Sequence, residues 1–196
     1  MLQFELRVMR VTMSMRSLDD PFLYSFRQAS RISRLSLWTA CAVVLAGIEH
    51  FLPLPLPWIR LGLANGVALL ILWENDFPSA LLVNLLRVII VAALFGTWSS
   101  PALLLSLTSG VVAVAVMAAA RRLGGEKIGL IGVSVCGAWF HIATQFLLVD
   151  WLFVHEKAVM TLAGPSLIAA VISGVMIGWL AAKLRQRLPR ALLLTP

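Results

Sequence analysis

Long apolar runs, broken only by short polar clusters, make up most of this chain. No charged residue occurs between Arg87 and Arg121, between Lys127 and Asp150, or between Lys157 and Lys183. Each of these gaps has room for the ~20 apolar residues that cross a bilayer as a helix. The runs and the turn signals between them predict six spans, at residues 35–51, 59–73, 79–96, 102–120 and 128–149, with a sixth that begins between Met160 and Pro165 and ends at Lys183. Alternating prolines at 53–57 cannot continue a helix and favour an extended connection. Ser100 followed by Pro101 supplies a cap and a first-turn proline for the fourth span. Residues 150–164 are expected to form a polar external stretch before the sixth.

Charge adds an orientation. Arg27, Arg31 and Arg34 precede the first span, the 121–127 connection is basic, and Lys183, Arg185, Arg187 and Arg190 close the last. The positive-inside rule then puts both termini in the cytoplasm and predicts an all-α, six-helix membrane protein. Its parts are a cytoplasmic N-terminal segment (1–30), a membrane domain (31–188) and a short cytoplasmic tail (189–196), with the cytoplasmic (inner) membrane as its location. The turn at 74–78 sits awkwardly, being placed inside while carrying only acids. Composition supports the class: 60% of residues are hydrophobic and 13% charged, about half the charge of a soluble domain. The net charge of +7 gathers at segment ends, which argues against a nucleic-acid partner and for lipid headgroups. Cys41 and Cys136 lie in apolar runs and read as small buried hydrophobes.

Catalytic chemistry finds little footing. There is no GxxxxGK[ST] loop, HExxH, CxxC or G-x-S-x-G motif, and no face of paired aspartates for a magnesium–diphosphate site. No catalytic residue, metal or cofactor is therefore expected. Gly62/Gly66, Gly174/Gly178 and Ala42/Ala46 are small-xxx-small pairs of the kind that lets helices approach closely.

The candidate site rests on polar residues inside the spans. Arg87 lies near the middle of the third, where a guanidinium costs between ~3 and ~15 kcal/mol unless it faces a partner or a wet cavity. Asn84, three residues earlier, shares its helix face. Glu49 ends the first span, Arg60 and Asn65 open the second, and His141 and Gln145 share a face of the fifth. One outward-facing pocket holding Arg60, Asn65, Asn84, Arg87, His141 and Gln145 suits an anion such as a carboxylate or phosphate. Blander readings stand beside this one. Arg87 pairs with Glu49, Arg60 snorkels to headgroups, and the amides and imidazole join helices. His50 reads as near-aqueous and without a role.

The blocks P-L-P-W-I-R-L-G-L-A-N (55–65), A-L-L-V-N-L-L-R (80–87) with F-G at 95–96, and G-A-W-F-H-I-A-T-Q (137–145) resemble the Gx transporter family, also described as heptaprenyl diphosphate synthase component I. The similarity extends over about 35–184 and departs from the family's usual pattern at Arg60, Ile142 and Thr144. In size and layout the family is similar to the substrate-binding S-components of energy-coupling-factor transporters. The resemblance implies a small-molecule-binding subunit with the 52–58 loop as a lid. It also implies a contact of Ala42 and Ala46 with a coupling transmembrane subunit, and separate ATPases as the source of energy. Its other implication is a non-catalytic membrane component of a polyprenyl diphosphate synthase linked to quinone side chains. A purely structural subunit of a larger assembly is the third reading.

Overall fold

In a computed structural model, residues 21–51, 62–74, 76–152 and 157–187 are described. They form six α-helices: α1 (Pro21–Phe51), α2 (Leu63–Trp73), α3 (Phe77–Leu94), α4 (Pro101–Gly124), α5 (Leu130–Leu152) and α6 (Lys157–Arg187), with a 3-10 turn (Gly125–Lys127) after α4. The chain divides into two compact units, 1–36 and 37–196. In the first, the described residues are helical, and the Ser33 hydroxyl donates to the Ala29 carbonyl. Everything that follows concerns the second.

Five helices carry apolar stretches long enough to cross a bilayer: Gln28–Phe51, Phe77–Leu94, Pro101–Gly124, Leu130–Trp151 and Ala163–Arg187. The bundle is inside-out by the standards of a soluble protein. Leu94, Leu147, Ile172, Met176 and Trp179 face outward, while Ser79, Asn84, Arg87, Ser109 and Ser166 are buried. Helices satisfy their own backbone groups, so this arrangement is stable in hydrocarbon and untenable in water. The protein is a multi-pass membrane protein.

The second expected span is corrected in length. Its described helix, α2, has 11 residues and is about 16 Å long, too short to cross alone. It survives because eight of those residues are buried against protein. Gly62 is not part of that helix but its left-handed N-cap, at φ 74°, so Gly62/Gly66 is not a helical pair. The last apolar stretch begins at Ala163, within the expected interval, but helix reaches into the polar stretch at 150–164 from both sides. α5 runs to Leu152 and α6 already begins at Lys157, with Pro165 inside it. Helices outlast the hydrocarbon, and polarity marks where the membrane ends rather than where the helix does.

Local chemistry fixes the ends. Asp76 caps α3, accepting from Ser79 N at 3.0 Å and from Ser79 Oγ at 2.6 Å, with Pro78 in the first turn. Ser100 caps α4 as its sequence predicts, accepting from Ala102 N at 3.2 Å. α2 is finished by its neighbours. The Arg121 guanidinium donates to the Leu72 carbonyl and lies 4.7 Å over the Trp73 ring, and Arg185 Nε meets Glu74 Oε1 at 3.2 Å. The acidic turn that sat awkwardly in the sequence is thus matched by arginines from the ends of α4 and α6. Because Arg185 is 44% exposed, this ion pair is screened and contributes at most about 1 kcal/mol. Glu74→Gln is expected to lower stability by that much or less, with the difference shrinking as salt is raised in a denaturation series.

α5 and α6 pack most closely, through Gly174 and Gly178. A Cβ at Gly174 would lie 2.8 Å from Val135 Cα, and one at Gly178 would lie 2.7 Å from Ile131 Cα. Here the small-xxx-small pair brings two backbones together as expected.

Candidate functional site

At the end of the bundle opposite the Trp73–Arg121–Arg185 cluster, α1 to α6 converge on one cleft. The chain's hydrophobic pattern forces the convergence: each helix buries the face that carries its few polar groups, and those faces meet. Asn65 of α2, Arg87 of α3, and His141 and Gln145 of α5 all line it, joined by Glu49 and His50 of α1 and by Thr97, Ser106 and Ser173. Four of the six expected site residues are therefore brought together. Asn84 is not among the lining residues. Arg60, and the 52–58 loop expected as a lid, lie outside the described residues.

Asn84 works from behind. It is 2% exposed, and its Oδ1 accepts from Arg87 Nη2 at 2.8 Å. Its amide presses against α4 where Gly110 leaves room; a Cβ there would come within 2.6 Å of Asn84 Nδ2. Among the described residues Nδ2 has no hydrogen-bond partner. Asn84 thus holds the guanidinium from behind the cleft wall. Arg87 is 9% exposed and borders the cleft. It carries five N–H donors in a planar fork, one of which goes to Asn84.

Glu49, 6% exposed, accepts from the Leu63 backbone N–H. Its carboxylate therefore supplies the N-terminal partner that Gly62 cannot give to α2, where the helix dipole favours negative charge. It also sets a carboxylate in the same cleft as the guanidinium. His50 is exposed, as expected; it also borders the cleft and stacks on Phe95, with ring centroids 4.1 Å apart.

His141, Gln145 and Ser109 form a small network. Gln145 Nε2 lies 3.3 Å from His141 Nε2 and 3.4 Å from Ser109 Oγ. An amide nitrogen only donates, so His141 Nε2 accepts and the ring proton belongs on Nδ1. The Ser109 hydroxyl donates to the Leu105 carbonyl at 2.6 Å, and its 3.5 Å approach to His141 Nε2 is long. The serine hydroxyl is thus engaged with a backbone carbonyl of its own helix. What the cleft offers is a guanidinium, an imidazole, two amides and hydroxyls, with the Glu49 carboxylate among them, around ≈ 90 Å³ of room. An engineered cavity of about 150 Å³ holds a benzene, so only a headgroup-sized species fits.

Ser106 and Ser173 were not legible as site residues. Helical serines commonly bond their own backbone, as Ser173 does to the Ala170 carbonyl at 3.1 Å, and nothing in sequence marks which ones border a cavity. Ala42 and Ala46 face the inside of the bundle, at 1% and 7% exposure, and Ala46 lines the cleft. A partner approaching this helix from the lipid side meets Val44 and Ile48 instead.

Residues 38–184 match the family model described as heptaprenyl diphosphate synthase component I. No curated protein and no solved structure gives a significant match.

Proposed function

Since the chain belongs to the heptaprenyl diphosphate synthase component I family, we propose that it is the ligand-binding membrane subunit of a larger assembly, taking up a small molecule through an anionic group held in the cleft. The observation that carries this reading is the meeting of Arg87, His141, Gln145 and Asn65, from three helices, around one open space. A buried guanidinium serving only as a brace has no need of a cavity beside it. In this reading the basic helix ends face the cytoplasm, the cleft opens to the outer side of the cytoplasmic membrane, and separate ATPases with a coupling subunit supply energy for transport. The family's description favours a second reading, a non-catalytic component that presents a polyprenyl substrate to a separate synthase.

Affinity purification of the tagged full chain from its native membranes, followed by native mass spectrometry, tests both. Recovery with ATPase and coupling subunits, and with a bound anionic species, is the expected result. Recovery with an aspartate-rich prenyl transferase selects the second reading. Recovery of a lone chain with no bound small molecule overturns the ligand-binding role.

A further inference from the structure

Beside the cleft lies a second space, a groove of ≈ 500 Å³ lined by apolar residues of α1, α2 and α6, among them Val44, Leu45, Leu63, Val67, Ile177 and Leu180. It opens sideways toward lipid, since Val44 and Leu180 are exposed. On all three helices the lining changes over in the same sense. Along α1 the groove residues reach Leu45 and the cleft begins at Ala46; at the start of α2 the two alternate, with Gly62 and Asn65 on the cleft and Leu63 on the groove, before Gly66, Val67 and Leu70 continue the groove alone. Along α6, Ala170 and Ser173 line the cleft, and Ile177, Leu180 and Leu184 the groove. A small space walled by α2, α4, α5 and α6 shares Gly62, Asn65 and Ala138 with the cleft and Ile177 with the groove. α1 and α6 thus hand over from polar to apolar at one point on passing from one space to the other, and α2 does so after its first turn.

We propose that the cleft and the groove are the head and tail compartments of one site for a single-chain amphiphile, an anionic headgroup beside Arg87 with its apolar chain running between α1 and α2/α6. The proposal rests on the reading of the cleft as an anion site and adds the chemical class of the molecule. The cleft's ≈ 90 Å³ takes a headgroup but no more. The groove leads away from it along the helix axes, the direction in which a lipid chain already lies. Because the groove is open to the bilayer, its walls are no more apolar than the lipid they replace. They give the chain a path, while selectivity comes from the head through charge-assisted hydrogen bonds. An isoprenoid phosphate and an acyl-chain phosphate or carboxylate share this chemistry.

The test uses the full chain in nanodiscs with dodecyl phosphate carrying a terminal diazirine. After irradiation, mass-spectrometric mapping is expected to find cross-links on residues 37–45 and 177–184. Excess dodecyl phosphate, but not dodecanol, should remove them, and Arg87→Gln should weaken them at least tenfold. A bulky residue at exposed Cys41, Cys41→Trp, should divert them from the groove without lowering the yield of folded protein. Competition by farnesyl phosphate better than by dodecyl phosphate identifies an isoprenoid source, and the reverse order an acyl one. Cross-links in the groove that ignore both Arg87→Gln and the charged competitor mark ordinary lipid contact and overturn the proposal. Arg87-dependent cross-links that map elsewhere also overturn it, yet leave the anion-binding cleft standing. The absence of any competed cross-link sinks both.

Discussion

Arg87→Gln is expected to weaken dodecyl phosphate binding by at least about 30-fold, while the protein still elutes as a single folded species in detergent. Removing one partner of a desolvated, hydrogen-bonded charge pair costs about 2–5 kcal/mol, and ~1.4 kcal/mol is a factor of ten in affinity. The guanidinium is 9% exposed and borders the cleft, so water compensates poorly for its loss. Glutamine retains an amide that can reach Asn84, whose Oδ1 takes the 2.8 Å bond from Arg87 Nη2. Arg87→Lys keeps the charge and gives up the planar fork, so it should fall between wild type and Arg87→Gln. Asn84→Leu should mimic a milder Arg87 defect, because it frees the guanidinium to turn without removing it. Isothermal titration in nanodiscs, paired with thermal unfolding, separates recognition from bracing. Unchanged affinity with a melting temperature lowered by many degrees would reduce Arg87 to a strut.

Gly174→Leu and Gly178→Leu are expected to be the most destabilising single changes in the α5–α6 pair. The Cβ alone already comes within 2.8 Å of Val135 Cα or 2.7 Å of Ile131 Cα, and a backbone atom cannot rotate out of the way. Overpacking costs about 1–3 kcal/mol where side chains can yield; against backbone the helices must separate, and the close packing that holds them in lipid is lost. Gly164→Ala is the control, since a Cβ there meets nothing within 4 Å. It should be neutral or stabilise α6 by up to about 1 kcal/mol. Tryptophan fluorescence during heating of the purified variants reads both effects. A Gly178→Leu protein that melts with wild type would show that the two helices do not depend on this contact.

Helices, caps and much of the cleft were legible in one dimension because the bilayer supplies a single strong rule. Runs without charge must be helices, and a charge inside one must meet something. Arg87, His141, Gln145 and Asn65 stood out for that reason. Asn84 stood out equally, yet only Arg87 of the two lines the cleft, because i, i+3 spacing shows that two side chains share a face but not which of them reaches the cavity. Glu49 was visible as a polar residue at a helix end. Its use as the N-terminal partner of α2 depends on how the chain returns after 51, which no local pattern encodes.

The class was written in the chain: apolar length, charge at segment ends, the Ser100 cap, and the small-residue pair of α6. These follow from rules acting within one helix or between a helix and its solvent. Tertiary contacts added that α2 is buried against protein, that Ala42 and Ala46 point inward, that His50 borders the cleft, and that an apolar groove lies beside the polar cleft. Each of those depends on which faces of different helices are pressed together. That choice is settled by packing across the bundle, where every candidate face is similarly apolar and a few closely fitted residues make the difference.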